Sequence, residues 1–190
     1  MPPKAKVTKD MIITAGVKIV RSEGAECLNV RRTAAALECS TQPVMYHFQT
    51  VNDLKTAVYE AADKLHTEYI LTPDPDSADP FMSIGLRYIN FAAEEKHLFR
   101  FLFQSDSFKN ISFSDLMNAE GLSPLIAPLC RSADMTVEQA REVFELMFVC
   151  VHGAASLIAN NTISYDKAHF AAMLSKAFNG AVAALKGEER

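Results

Sequence analysis

A chain of 190 residues, nearly half of them hydrophobic and carrying a net charge of −4, can build one or two small domains with a sizeable core. No apolar run reaches the ~20 residues of a membrane span, and the basic start MPPKAKVTKD is not followed by a signal-peptide core. A cytoplasmic protein without membrane contact is therefore expected. Cys27, Cys39, Cys130 and Cys150 have neither paired nor metal-type spacing, and the five histidines are scattered. Neither a metal nor any other cofactor is expected.

In chain order, Ile12, Ala15, Gly16, Ile19 and Val20 mark a first helix that ends at Gly24. Asn29 can cap a second helix by accepting an orphan N–H of its first turn. Val30, Ala34 and Leu37 then share one face, and the small Ala34 permits a close neighbour. The pattern breaks at Glu38-Cys39, and Ser40 is the next candidate cap. Pro43 falls at the third position of the helix that follows, where no intrahelical bond is lost. Val44 and Phe48 turn inward, leaving Thr41, Gln42, Tyr46 and His47 on the other faces. Two short helices, a tight turn and a polar second helix are the elements of a helix-turn-helix DNA reader.

A fourth helix is expected from Thr50 or Val51 to Leu71, with an apolar stripe of Val51, Leu54, Val58, Ala61, Leu65 and Tyr69. Thr72-Pro73-Asp74-Pro75-Asp76 ends it and marks a domain boundary. Asp79-Pro80 opens another helix, with Phe81, Ile84, Tyr88, Phe91 and Ala92 in its stripe. HLFRFLFQ, residues 97–104, is a dense aromatic patch, and 105–112 reads as a loop. Short helices are expected at 113–119 and from Pro124 to Arg131. Thr136 and Gln139 form a capping box for a long helix to about Ala159. Asn160-Asn161-Thr162 stops it, and Ser164 begins the last helix, to about Leu185.

Charge is distributed unevenly. Residues 1–50 carry seven Lys and Arg against four acids, a net +3 in a chain whose total is −4. Lys4, Lys6 and Lys9 form a basic arm, and Arg31 and Arg32 open the second helix. Basic groups beside DNA release condensed counterions and so supply affinity without sequence preference.

Residues 8–58, TKDMIITAGVKIVRSEGAECLNVRRTAAALECSTQPVMYHFQTVNDLKTAV, resemble the amino-terminal domain of the TetR family of transcriptional regulators. The matching features are the first helix ending in Glu-Gly, the Val-Arg and Ala of the second, Ser40, the closing Phe48, and Leu54. The Ser-Thr-Gln-Pro run resembles a subgroup of that family. The chain departs from the family pattern at Glu38, where Gly is usual in the turn. It departs again at Thr33 for Ile, at Met45 for a phosphate-contacting Tyr, and at Val51 for Lys. A non-Gly residue held at positive φ costs roughly 1 kcal/mol.

The resemblance implies an all-α protein with a three-helix helix-turn-helix head, residues 1–50, to which helix 51–71 is linked. A helical-bundle regulatory and dimerisation domain, residues 72–190, follows. It implies a homodimeric, ligand-responsive repressor on palindromic double-stranded DNA. Gln42 can pair with adenine, Thr41 with a base edge or thymine methyl, and Tyr46 with a base or phosphate. Ser40 and His47 would contact the backbone, with Lys6, Asn29 and Arg31 completing the interface. An unknown small-molecule effector would be lined by Phe91, Phe99, Phe103, Met117, Phe144, Met147, Phe148 and His152. The dimer interface is expected from Phe148, Val151, Ala154, Ala155 and Ile158 with Phe170, Leu174, Ala177 and Ala181. No nucleophile–base arrangement or phosphate loop is present, so an enzyme is not expected. The alternative is a helical small-molecule-binding or scaffold protein that has lost DNA binding.

Overall fold

The computed structural model describes residues 7–72, 79–105, 113–117 and 120–188. Among them every regular element is a helix: α1 (Lys9–Glu23), α2 (Val30–Ala36), α3 (Thr41–His47), α4 (Val51–Leu71), α5 (Pro80–Glu94), α6 (Lys96–Phe103), α7 (Phe113–Met117), α8 (Ser123–Ala133), α9 (Val137–Ala159) and α10 (Lys167–Glu188). The basic arm through Lys6, the proline-rich boundary at 73–76 and most of the expected 105–112 loop lie outside the described residues.

The chain divides into two compact units, Met1–Thr67 with Glu95–Ser107, and Glu68–Glu94 with Phe108–Arg190. These do not follow the linear division at residues 50 and 72. The aromatic patch forms α6, which packs on α1 within the first unit. Arg21 Nε pairs with Glu95 Oε2 at 2.9 Å, at the start of α6. The Tyr59 hydroxyl of α4 donates to the Leu102 carbonyl at 3.3 Å, and its ring meets Phe101 edge-on. Long-range partners of this kind leave no periodic trace in sequence.

In the first unit, Thr8 caps α1 by accepting from the Met11 N–H, and Gly24 ends it at φ 98°. That left-handed backbone suits glycine. Gly16 serves a different need, because a Cβ there would fall onto the Val58 methyl of α4. The α4 stripe departs from expectation. Leu54, Val58, Ala62 and His66 are buried, whereas Val51 and Leu65 are exposed. Steps of four residues hold the face down the helix, so His66 takes the core position expected of Leu65. Its ring meets Phe103 edge-on, and burial lowers its pKa to about 4.

In the second unit, α5 lies against α9 and α10, and α8 covers α9 and α5. Asp79 caps α5 through the Phe81 N–H, as Asp-Pro suggested. Phe81, Tyr88, Phe91 and Ala92 of the expected α5 stripe are buried, whereas Ile84 is half-buried and Ile89 takes a core place. Thr136 and Gln139 exchange both bonds of the expected capping box. At the other end of α9, Asn161 adopts φ 58°, its N–H reaching the Ile158 carbonyl and that of Thr162 the Leu157 carbonyl. This is a Schellman closure with Asn in the left-handed position. α10 begins at Lys167, not Ser164, because Asp166 accepts from the Ala168 and His169 N–H groups and is the true cap. α8 likewise runs two residues further than expected, to Ala133, and begins at Ser123. The last turn of α4 is fixed to α5 by Tyr69, whose hydroxyl bonds Glu94 and Asn90 and whose ring lies under the Arg87 guanidinium.

Candidate nucleic-acid interface

α2 and α3 are joined by a turn whose geometry follows from how α2 ends. The Glu38 N–H reaches the Ala35 carbonyl at 3.1 Å and the Cys39 N–H the Ala34 carbonyl at 3.0 Å. This is a Schellman motif, and it places Glu38 at φ 51°, where Gly is the usual occupant. The backbone expectation for this position therefore holds, and the glutamate accepts the strain. Ala34 is buried, which lets the helices approach. Thr33 is wholly buried, and its hydroxyl donates to the Asn29 carbonyl at 2.9 Å, so a polar group occupies that core site without an unmet bond.

α3 is held from one side only. Val44 and the following Phe48 are buried, and Pro43 stands at the third helical position as expected. Thr41, Gln42, Met45 and Tyr46 are all exposed, Tyr46 by 81% and Met45 by 54%. On a helical wheel Gln42 and Tyr46 point directly away from Val44. Thr41 and Met45, one turn apart, form the strip beside them. The outward face thus presents an amide, a phenol, a hydroxyl and a thioether. Ser40 occupies the expected cap position with extended backbone, but its side chain makes no capping bond.

The flanking residues are partly committed elsewhere. Asn29 is exposed, yet its Oδ1 accepts from the Arg32 N–H at 2.9 Å and its Nδ2 donates to the Cys27 carbonyl. The Arg32 guanidinium donates two hydrogen bonds to the Glu23 carboxylate, at 2.6 and 3.0 Å, leaving Arg31 exposed beside it. His47 is half-buried, and its Nε2 donates to the Val7 carbonyl at 3.2 Å, which ties the start of the described chain to the end of α3. Lys9 lies over the Phe48 ring at 5.6 Å. Thr50 and Asp53 close the start of α4 reciprocally, at 2.9 and 3.1 Å. Lys6, expected in the interface, lies outside the described residues. In the sequence Met45 stands where the resembled family has a phosphate-contacting Tyr. Its spacing from Thr41 was the signal that it shares the outward face.

The other expected sites fare differently. Of the effector-lining residues, Phe144, Phe148 and His152 form a continuous aromatic row on α9, with Tyr88 and Phe113 against Phe148. His152 Nδ1 shares a 2.9 Å hydrogen bond with the Tyr88 hydroxyl, and burial lowers its pKa. Met117 and Met147 are buried in the same unit, and Phe91 packs on Tyr69. Phe99 and Phe103 meet each other at a tilt in the first unit instead. Of the expected dimer residues, Val151, Ala154, Ala155, Ile158, Phe170, Leu174 and Ala181 are buried within the chain itself. They take part in the packing of α5, α9 and α10, and Ala154 and Phe170 also line an open groove beside Cys150 and Leu157. Phe148 and Ala177 are half-buried.

Among the described residues no three His, Cys, Asp or Glu cluster as metal ligands. By length and average composition alone α9 could cross a membrane, but Glu138, Arg141, Glu142 and Glu145 interrupt it and nearly half of its most apolar stretch is buried inside the chain. No family model and no curated protein matches this chain. Among solved structures, the fold matches that of a TetR-family member from Streptomyces coelicolor A3. The TM-score is 0.57 at 18% identity, covering 88% of this chain and 96% of that one. The architecture, a helix-turn-helix head with a helical domain, is that of the matched structure.

Proposed function

We propose that this chain is a sequence-specific DNA-binding transcriptional regulator, acting in the cytoplasm as a ligand-responsive repressor and binding a palindromic operator as a homodimer. The observation that carries the reading is the outward face of α3. A seven-residue helix anchored by Val44 and Phe48 exposes side chains suited to base edges, and among the described residues the Tyr46 ring meets its neighbour His47 edge-on while the rest of that face stays open. The fold likeness to a TetR-family protein supports the same reading.

In this reading each α3 enters a major groove. Gln42 pairs with adenine N6 and N7, Thr41 meets a base edge, and Tyr46 reaches a base or phosphate. Ser40, Arg31 and Lys6 act on the backbone, as does His47 once its Val7 bond is released. Asn29 serves mainly as a cap. Residues 1–50 are the reading head and 72–190 the regulatory and dimerisation region. An effector of apolar character would lie against Phe91, Met117, Phe144, Met147, Phe148 and His152. It would act through different affinities for two placements of α4.

In this reading the dimer surface lies on the exposed faces of α9 and α10. Leu146 and Val149 are each 58% exposed and Leu157 is 45% exposed. With Cys150 and Gly153 they recur every three or four residues on one side of α9. A Cβ at Gly153 or Gly180 would meet nothing within 4 Å, so each leaves room for a neighbouring helix. A groove of about 660 Å³, lined in part by Cys150, Leu157, Ile163 and Met173, adjoins that stripe. Burying such apolar surface drives association.

The alternative, a helical small-molecule-binding or scaffold protein without DNA binding, draws on Val51, an exposed apolar residue at the amino terminus of α4. Selection of bound molecules from random duplexes separates the two. Enrichment of a palindrome is expected, and recovery of no sequence above background would favour the alternative.

A further inference from the structure

We propose that Met45 is a specificity-determining residue that reads the C5 methyl of a thymine in the operator, next to the adenine contact of Gln42. The inference rests on the DNA-binding reading above. It concerns a residue whose chemistry differs from every other member of the α3 face. Thr41, Gln42 and Tyr46 carry hydrogen-bonding groups, whereas Met45 offers only a flexible, polarisable thioether chain.

Three observations converge on this role. Met45 contributes little to the head, since Val44 and Phe48 provide the burial and Met45 remains 54% exposed. It stands one turn after Thr41 and three residues after Gln42, so its side chain leans back along the helix toward both. It carries no charge or strong donor, so phosphate recognition is closed to it. In a major groove the apolar group available to such a side chain is the pyrimidine C5 methyl. An adenine held by Gln42 brings a thymine into the same base pair. The Thr41 and Met45 strip alongside Gln42 is placed to cover a thymine methyl of that pair or of its neighbour. Gln42 and Met45 together would read A·T from both sides, one through hydrogen bonds and one through shape.

The test uses the full chain and the duplex it selects, with each thymine exchanged singly for deoxyuridine, which removes the methyl and nothing else. At one position per half-site affinity should fall about fourfold, the fold-change of ~0.8 kcal/mol for one buried methyl. Met45→Ala should bind more weakly and become indifferent to that exchange, while still discriminating against replacement of the adenine read by Gln42. Met45→Leu, which keeps an apolar surface, should retain the sensitivity. Uniform indifference of the wild-type chain to uracil overturns the proposal, as does an equal penalty in wild type and Met45→Ala. A preference for 5-methylcytosine paired with guanine at that position overturns the assignment to thymine. If the wild-type chain selects no duplex at all, the DNA-binding reading itself fails, a result distinct from binding without methyl sensitivity.

Discussion

His66 shows what a single side chain contributes to this molecule. Hidden in the first unit against Phe103, it is held neutral by burial, its pKa lowered from 6.5 to about 4. In the unfolded chain it titrates near 6.5, so between these values the unfolded state binds more protons than the folded one. This contribution is fully present above pH 6.5 and is lost as pH falls toward 4. Between pH 7.5 and 5 the loss amounts to about 2 kcal/mol. His152, also lowered by burial, adds in the same direction. Urea unfolding at the two pH values should show the drop, and His66→Leu should reduce it. An identical pH slope in that variant would place the acid sensitivity elsewhere. The histidine was not legible as a core residue. Sequence periodicity favoured Leu65 beside it, and a stripe that advances by fours differs from one mixing threes and fours only when the neighbouring helices are in place.

At the level of the element, the turn between α2 and α3 carries the clearest stored strain. Its Schellman bonds require a left-handed residue, and Glu38 supplies it at φ 51°. Glu38→Gly should therefore stabilise the chain by up to about 1 kcal/mol, the left-handed penalty less the larger entropy of glycine in the unfolded state. Chemical denaturation checks this, and a destabilised variant would show that the Glu38 side chain makes a compensating contribution. This feature was readable in advance, as were the caps at Asn29 and Thr136, because local bonding decides them. α10 begins three residues later than the sequence suggests. Ser164 and Asp166 are both capping residue types, and the choice between them depends on where the preceding turn delivers the chain. The face of α3 was legible in its polar members. Met45 was read as a lost contact, because its exposure could be judged only once Val44 and Phe48 were seen to fill the inward side.

For the molecule as a whole, assembly depends on which side of α9 and α10 is free. Periodicity identifies apolar residues but does not say whether the chain or a second copy covers them. Val151, Ala155 and Leu174 turn out to be core, while Leu146, Val149 and Leu157 remain outside. Gly153→Arg and Leu157→Glu should accordingly yield folded monomers by sedimentation, with helical content unchanged. Ala155→Arg should unfold the second unit, since it forces an unpaired charge into the core. Dimers persisting in both surface variants would exclude this face as the interface. The same logic limited the division into units. α6 joins the first unit through Arg21, Tyr59 and their partners, and none of these pairings is announced by spacing.

The claim on which the functional reading depends is that α3 reads base sequence. It is tested most directly by comparing wild type and Gln42→Ala on the selected duplex and on random duplex at one fixed salt concentration. Gln42 is exposed and makes no bond that α3 needs, so its removal should leave the fold intact. Loss of one bidentate contact should cost about 1–3 kcal/mol on the selected duplex and relax preference at one base position, with little change on random DNA. Equal weakening on both duplexes, or no weakening on either, would contradict direct reading by this helix.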